Sequence, residues 1–193
     1  MKKTLIFLVV LIVALAATFA TFLCRNESGN VAEAINNPNE PGGKYLSDLL
    51  TAIYSADEIT VTEHSSMVDY LRPERNPDDY KEKSYTVVIV SPSEKRELIE
   101  IVGALKTKTQ EAFPACIFDP HHRIALYSKG KLASTMELCF ECGQIEWDGT
   151  RQTPPWSIYG GMKTFIAGIG LHPKAEWWAK YDGVTSSATQ GIP

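Results

Sequence analysis

The sequence predicts an α+β domain: a mostly antiparallel sheet of about five strands with helices packed on one face. Three observations carry that expectation. Apolar patterns occur in the order helix, two strands, helix, three strands, helix. The strands come in runs and do not alternate strictly with helices, which argues against a parallel βαβ sheet. The composition, 44% hydrophobic and 22% charged over 193 residues, is ordinary for a chain that buries a core.

Each element has its own warrant. "KYLSDLLTAIYSA" puts Leu46, Leu49, Leu50 and Ile53 on one helical face. "EITVTEH" alternates Ile59 and Val61 with Thr60 and Thr62, the pattern of a half-buried strand. "MVDYLRPERNPDDYKEK" is charged and broken by prolines, so a long surface loop is expected. "SYTVVIV" is short and β-branched, a second strand. Ser91 as N-cap, Pro92 in the first turn and Glu94 closing a capping box then start a helix with Leu98, Ile101, Val102 and Leu105 on its apolar face. "HRIALYS" and "KLASTMELCF" flank Lys129-Gly130, a pair suited to a tight hairpin. Counting out from that turn, Ser128 should oppose Lys131, Ala125 Ser134, and His121 Leu138. "QIEWDG" reads as a third strand of the meander, "TPPWSIYGG" as a loop, "MKTFIAGIG" as a short helix and "PKAEWWAKY" as a last turn or two of helix.

Outside this domain, expected over residues 44–182, the termini differ in character. Lys2 and Lys3 precede an apolar run from Leu5 to Leu23, the n- and h-regions of an export signal. Residues 1–23 are thus a signal or membrane anchor, and the run is about long enough to span a ~30 Å hydrocarbon core. Cleavage after Ala20 and lipidation at Cys24 in a lipobox-like "TFLC" are the alternatives. All three leave the domain outside the cytoplasm, with the basic end inside. Residues 24–43, rich in Asn, Glu, Gly and Pro, read as a flexible tether, and 183–193 as a disordered tail. A net charge of −4 without a basic stripe gives no reason to expect nucleic acid.

After residue 24 the chain has three cysteines, all in "ACIFDPHHRIALYSKGKLASTMELCFECGQIEW". Three outcomes stand open. Cys116 forms a disulfide, and the register count favours Cys142 as its partner, leaving Cys139 free. Alternatively Cys116, Cys139, Cys142 and His122 complete a zinc tetrahedron, or the thiols stay reduced and buried. The flanks of Cys139-x-x-Cys142 look extended, so convergence on a metal needs a bulge or bend near Glu141–Gly143. His121 and His122, as neighbours on a strand, face opposite ways, so at most one joins such a site; His122 also reads as a structural histidine at a strand entry.

The same stretch resembles an uncharacterised family of bacterial exported proteins. The resemblance rests on Cys116, Asp119, Pro120, His122, Gly130, Lys131, Cys139, Phe140 and Cys142, and on a downstream helix closing on "GIG", over roughly residues 85 to 172. The departures are one extra residue between Cys116 and the Pro-His element, and His121 in place of an arginine. The resemblance implies a fold and an exported life, and no reaction.

No phosphate-cradling glycine loop, serine nucleophile elbow or paired-histidine zinc helix is present. A thioredoxin-like role wants its Cys-x-x-Cys at a helix N-terminus, whereas strand-like sequence follows here. Trp177 and Trp178 are adjacent, so a single helix face buries only one of them, and the other is free for a partner. The expected function is therefore an exported, membrane-anchored binding or structural module. It needs no cofactor, with zinc the alternative, and a thiol-disulfide redox protein is the third reading. Its protein or small-molecule partner stays open, as does any enzymatic activity.

Overall fold

The computed structural model describes residues 42–109 and 115–183. The expected anchor, all of the tether before Gly42 and the tail after Gly183 lie outside those residues. Among the described residues no helix is long and apolar enough to cross a membrane.

Five strands form one sheet: β1 (Glu58–His64), β2 (Ser84–Ile89), β3 (His122–Ser128), β4 (Lys131–Cys139) and β5 (Gln144–Trp147), in the order β2-β1-β3-β4-β5. Every neighbouring pair is antiparallel. The helices are α1 (Gly43–Ser55), α2 (Met67–Tyr70), α3 (Pro92–Gly103), α4 (Ile158–Gly168) and α5 (Trp177–Asp182). The fold is α+β, as the strand runs predicted.

Side-chain alternation decides what the sheet carries on each side. Ile59 and Val61 of β1, Ile124 and Leu126 of β3, Met136 and Leu138 of β4 and Trp147 of β5 face the helices. Against them pack Leu46, Leu49, Leu50 and Ile53 of α1, Leu98 and Val102 of α3, and Ile158, Met162, Phe165 and Ile166 of α4. The α3 start is the capping box read from the sequence: Ser91 Oγ accepts from the Glu94 N–H, and the Glu94 carboxylate accepts from the Ser91 N–H at 2.7 Å. At Gly42, φ is +86° and a side chain would strike the Thr107 carbonyl, so only glycine lets the start of α1 close on that loop.

Three local expectations are corrected. The hairpin turn forms at Lys129-Gly130, both with positive φ, and Ser128 opposes Lys131 as counted. Beyond it, however, Leu126 pairs with Ser134 while Tyr127 pairs with Leu132. Ala133 is an extra residue, a bulge that shifts the rest by one: Ala125 opposes Thr135, and His122, not His121, opposes Leu138. The Met67–Lys83 stretch is not structureless. Ser66 and Asp69 make a second capping box that starts α2, and Pro77–Asp79 forms a 3-10 turn. Lastly, α4 begins at Ile158, inside the expected loop. Gly160-Gly161 looks like a helix breaker, but a Cβ on Gly161 would stand 3.0 Å from Ile101 and Leu105. The glycine there allows α3 and α4 to approach closely.

Candidate functional site

All four histidines of the chain gather at one end of the sheet. His64 closes β1, His122 opens β3, His121 immediately precedes it, and His172 reaches the Glu63 side chain opposite. Backbone bonds fix the junction: the His64 N–H donates to the His121 carbonyl at 3.0 Å, and the His121 N–H to the Leu138 carbonyl at 3.2 Å.

His121 and His122 do face differently, and Trp177 of α5 lies between their environments. The His121 ring stacks on Trp177 at 4.7 Å with a 10° interplanar angle, whereas His122 meets Trp177 edge-on at 5.5 Å and Phe140 at 5.1 Å. Tyr85 stacks on Trp177 at 6.2 Å. Trp177 is buried and Trp178 is 49% exposed, the division expected of adjacent residues on one helix.

His121 Nε2 lies 3.1 and 3.2 Å from the two carboxylate oxygens of Asp69 and 3.9 Å from Asp119 Oδ2. Asp69 is held in turn by the Ser66 N–H at 2.8 Å, and Asp119 Oδ1 is buried without a hydrogen-bond partner. One donor atom each from Asp69, Asp119 and His121 lies within 4.8 Å of the other two, the one such grouping among the described residues. That spacing is physically meaningful: metal–ligand bonds of roughly 2.0–2.4 Å put two donors of one ion at most about 4.8 Å apart. Two carboxylates and an imidazole form a hard-to-borderline donor set, suited to a divalent ion such as zinc or manganese.

The surroundings position this trio. Glu63, wholly buried opposite His122, accepts from the His172 N–H at 2.7 Å, His172 Nδ1 at 3.2 Å and Lys180 Nζ at 2.9 Å. Burial alone would raise its pKa, but these bonds outweigh burial and hold it below the usual carboxylate range. Lys180 thereby ties α5, with Trp177, to the sheet. On the opposite face Arg123 grips Glu82 through two bonds of 2.8 Å and also binds Glu137, while His64 Nε2 lies 3.0 Å from Glu137. Burial lowers the His64 pKa, yet its contacts with Glu137 and the Ser65 carbonyl carry it above the ordinary value. The network docks the segment from Ser65 to Lys83, which carries Asp69; the Lys83 N–H and Tyr80 hydroxyl donate to Ser65 at 2.8 Å each.

The cysteines assemble as the register count favoured. Cys116 and Cys142 are joined by a disulfide with Cα atoms 5.8 Å apart, and Cys139 is a free, buried thiol. The zinc set of Cys116, His122, Cys139 and Cys142 is not assembled. Two of its sulfurs are spent on the disulfide, so neither presents a thiolate. His122 pairs with Leu138 on the helix-covered face, while Cys139 has the opposite parity. No hydrogen bond of good geometry reaches either His122 ring nitrogen, although the His172 backbone lies near enough to act on the ring, so the histidine at this strand entry is only partly satisfied. Burial drives its pKa down to about 4, with Glu63 opposing that shift. The Cys-x-x-Cys itself spans a tight turn, ended by Gly143 at φ +59°, and is not an extended segment.

Sequence reasoning passed over Asp69, weighed His121 only as the neighbour of His122 and as a departure from the resembled family, and met Asp119 only in that resemblance. A signal existed for one: Ser66-x-x-Asp69 has capping-box spacing and marks a helix start where a loop was expected. No family model, curated protein or solved structure matches this chain.

Proposed function

We propose that the chain is an exported, membrane-tethered domain that binds a divalent metal ion through Asp69, Asp119 and His121. The observation that carries the reading is the convergence of these donors at the histidine-rich end of the sheet, where Asp119 Oδ1 is buried with nothing to bond. An ion there would supply its missing partner and take the place of the hydrogen bond between His121 and Asp69. Export rests on Lys2-Lys3 and the Leu5–Leu23 run, with cleavage after Ala20 or lipidation at Cys24 as alternative fates. The Cys116–Cys142 disulfide suits an oxidising compartment.

Titrating the purified full chain with zinc or manganese chloride tests the metal site. About one ion should bind per chain, and melting should shift upward as binding stabilises the folded state. Asp119→Asn should abolish most of the shift while leaving the metal-free melting nearly unchanged. No binding, or equal binding by Asp119→Asn and His121→Ala, rejects the site. A reporter active only outside the cytoplasm, fused after residue 45, tests export independently.

A further inference from the structure

Resting on that metal reading, we infer that Cys139 is an exchange partner for the Cys116–Cys142 disulfide, and that the exchange releases Asp119 from the metal site. The three ligands are not held alike. Asp69 is fixed by the α2 capping box, and His121 by backbone bonds to His64 and Leu138. Asp119 sits in residues 115–120, which have no regular structure. On its N-terminal side that segment is tied to the turn after β4 by the Cys116–Cys142 disulfide, three residues before Asp119, while on its C-terminal side it runs through Pro120 into His121.

Cys139 lies at the other end of the turn that holds Cys142. The Cys142 N–H donates to Cys139 Sγ at 3.4 Å, so the thiol is turned toward the Cys142 backbone. Cys139 is buried, which shields its thiol from external oxidants, and it shares one short turn with the disulfide residue Cys142. In the exchange, the Cys139 thiolate attacks Cys142 Sγ. The Cys139–Cys142 bond forms, the Cys116–Cys142 bond breaks, and Cys116 leaves as a thiolate that takes up the proton Cys139 gave up. No oxidant or reductant is consumed. The product is a Cys-x-x-Cys disulfide closing its own turn, and a freed segment that no longer holds Asp119 against His121.

The test uses the full chain. Samples are held at about pH 6 or about pH 8.5, where a free thiol ionises appreciably. Free thiols are then blocked with iodoacetamide, the samples are returned to neutral pH, and each is split between non-reduced peptide mapping and titration with manganese(II), which disfavours sulfur ligands. The alkaline sample should contain a Cys139–Cys142 linkage with alkylated Cys116, and its manganese affinity should fall about tenfold or more. Cys139→Ser should keep the Cys116–Cys142 bond and full affinity at both conditions. A Cys116–Cys142 linkage unchanged in every wild-type sample overturns the exchange. Exchange with unaltered affinity overturns the release of Asp119 and leaves the metal reading standing. Absence of manganese and zinc binding by the unexchanged chain overturns the metal reading and the gating with it. Hydrogen exchange guards against simple unfolding: protection should be lost around residues 115–120 and the 140–143 turn, and loss across the whole sheet overturns the gating in favour of a structural staple.

Discussion

Lys180→Met removes the cation that compensates Glu63, and its cost follows from the geometry. The ammonium stands 2.9 Å from a carboxylate that is 1% exposed, while Lys180 itself is 35% exposed. At an effective dielectric of about 20, two unit charges at that distance attract by about 6 kcal/mol. Partial exposure of the lysine and its recovered hydration roughly halve this, giving an expected destabilisation of about 2–4 kcal/mol at neutral pH. The cost should also depend on pH. In the native protein the Glu63 pKa is depressed, so its contribution is present above the unfolded value and lost as pH falls through the folded one. Without Lys180, burial is opposed only by the bonds from the His172 N–H and Thr86, so the pKa rises from its native value. The cost of the substitution is then greatest where the carboxylate is ionised, above about 4.3, and shrinks as pH falls through the carboxylate range. Urea unfolding at about pH 7 and about pH 4.5 checks both points, with a clearly smaller cost in acid. A cost below about 1 kcal/mol at neutral pH, or the same cost at both, would show that the pair is not the electrostatic clasp described.

Three further outcomes follow from other parts of the fold. Leu98→Ala should cost about 2–5 kcal/mol in denaturant melts, because Leu98 is fully buried beside Leu49, Ile53, Ile124 and Met162. Ser91→Ala should cost only about 0.5–2 kcal/mol in the same melts, since it removes one side of a cap at the start of α3. The Glu82–Arg123–Glu137–His64 network should give a stability plateau with two limbs in a melting-temperature series. The Arg123 hydrogen bonds depress Glu82 despite its burial, so that contribution is lost as pH falls below about 4.5. His64 is raised, so its contribution is complete below about pH 6.5 and lost as pH rises through the higher folded value. His64→Gln should flatten the upper limb and, because His64 also helps to lower Glu82, soften the acid limb by a smaller amount.

Local patterns determined a good deal by themselves. Period-2 alternation in "EITVTEH" and the Ser91-Pro92-Glu94 start placed β1 and α3, because those signals come from neighbours in the chain. Counting from the Lys129-Gly130 turn was enough to pair Cys116 with Cys142 and leave Cys139 free, although Ala133 bulges and shifts the intervening register by one. That disulfide survives the error because it lies past the paired strands, where one residue of slip still leaves the Cα atoms in range. The tertiary structure decided what no local pattern encodes. Asp69 and His121 lie 52 residues apart and meet because β1 pairs with β3 and because α5 brings Trp177 beneath the His121 ring. Glu63 reads as an ordinary polar position of a half-buried strand, yet it is wholly buried, because Lys180, 117 residues on, arrives to neutralise it. Strand and helix propensities act over a few residues, whereas a donor set depends on which distant segments the sheet order brings to one end.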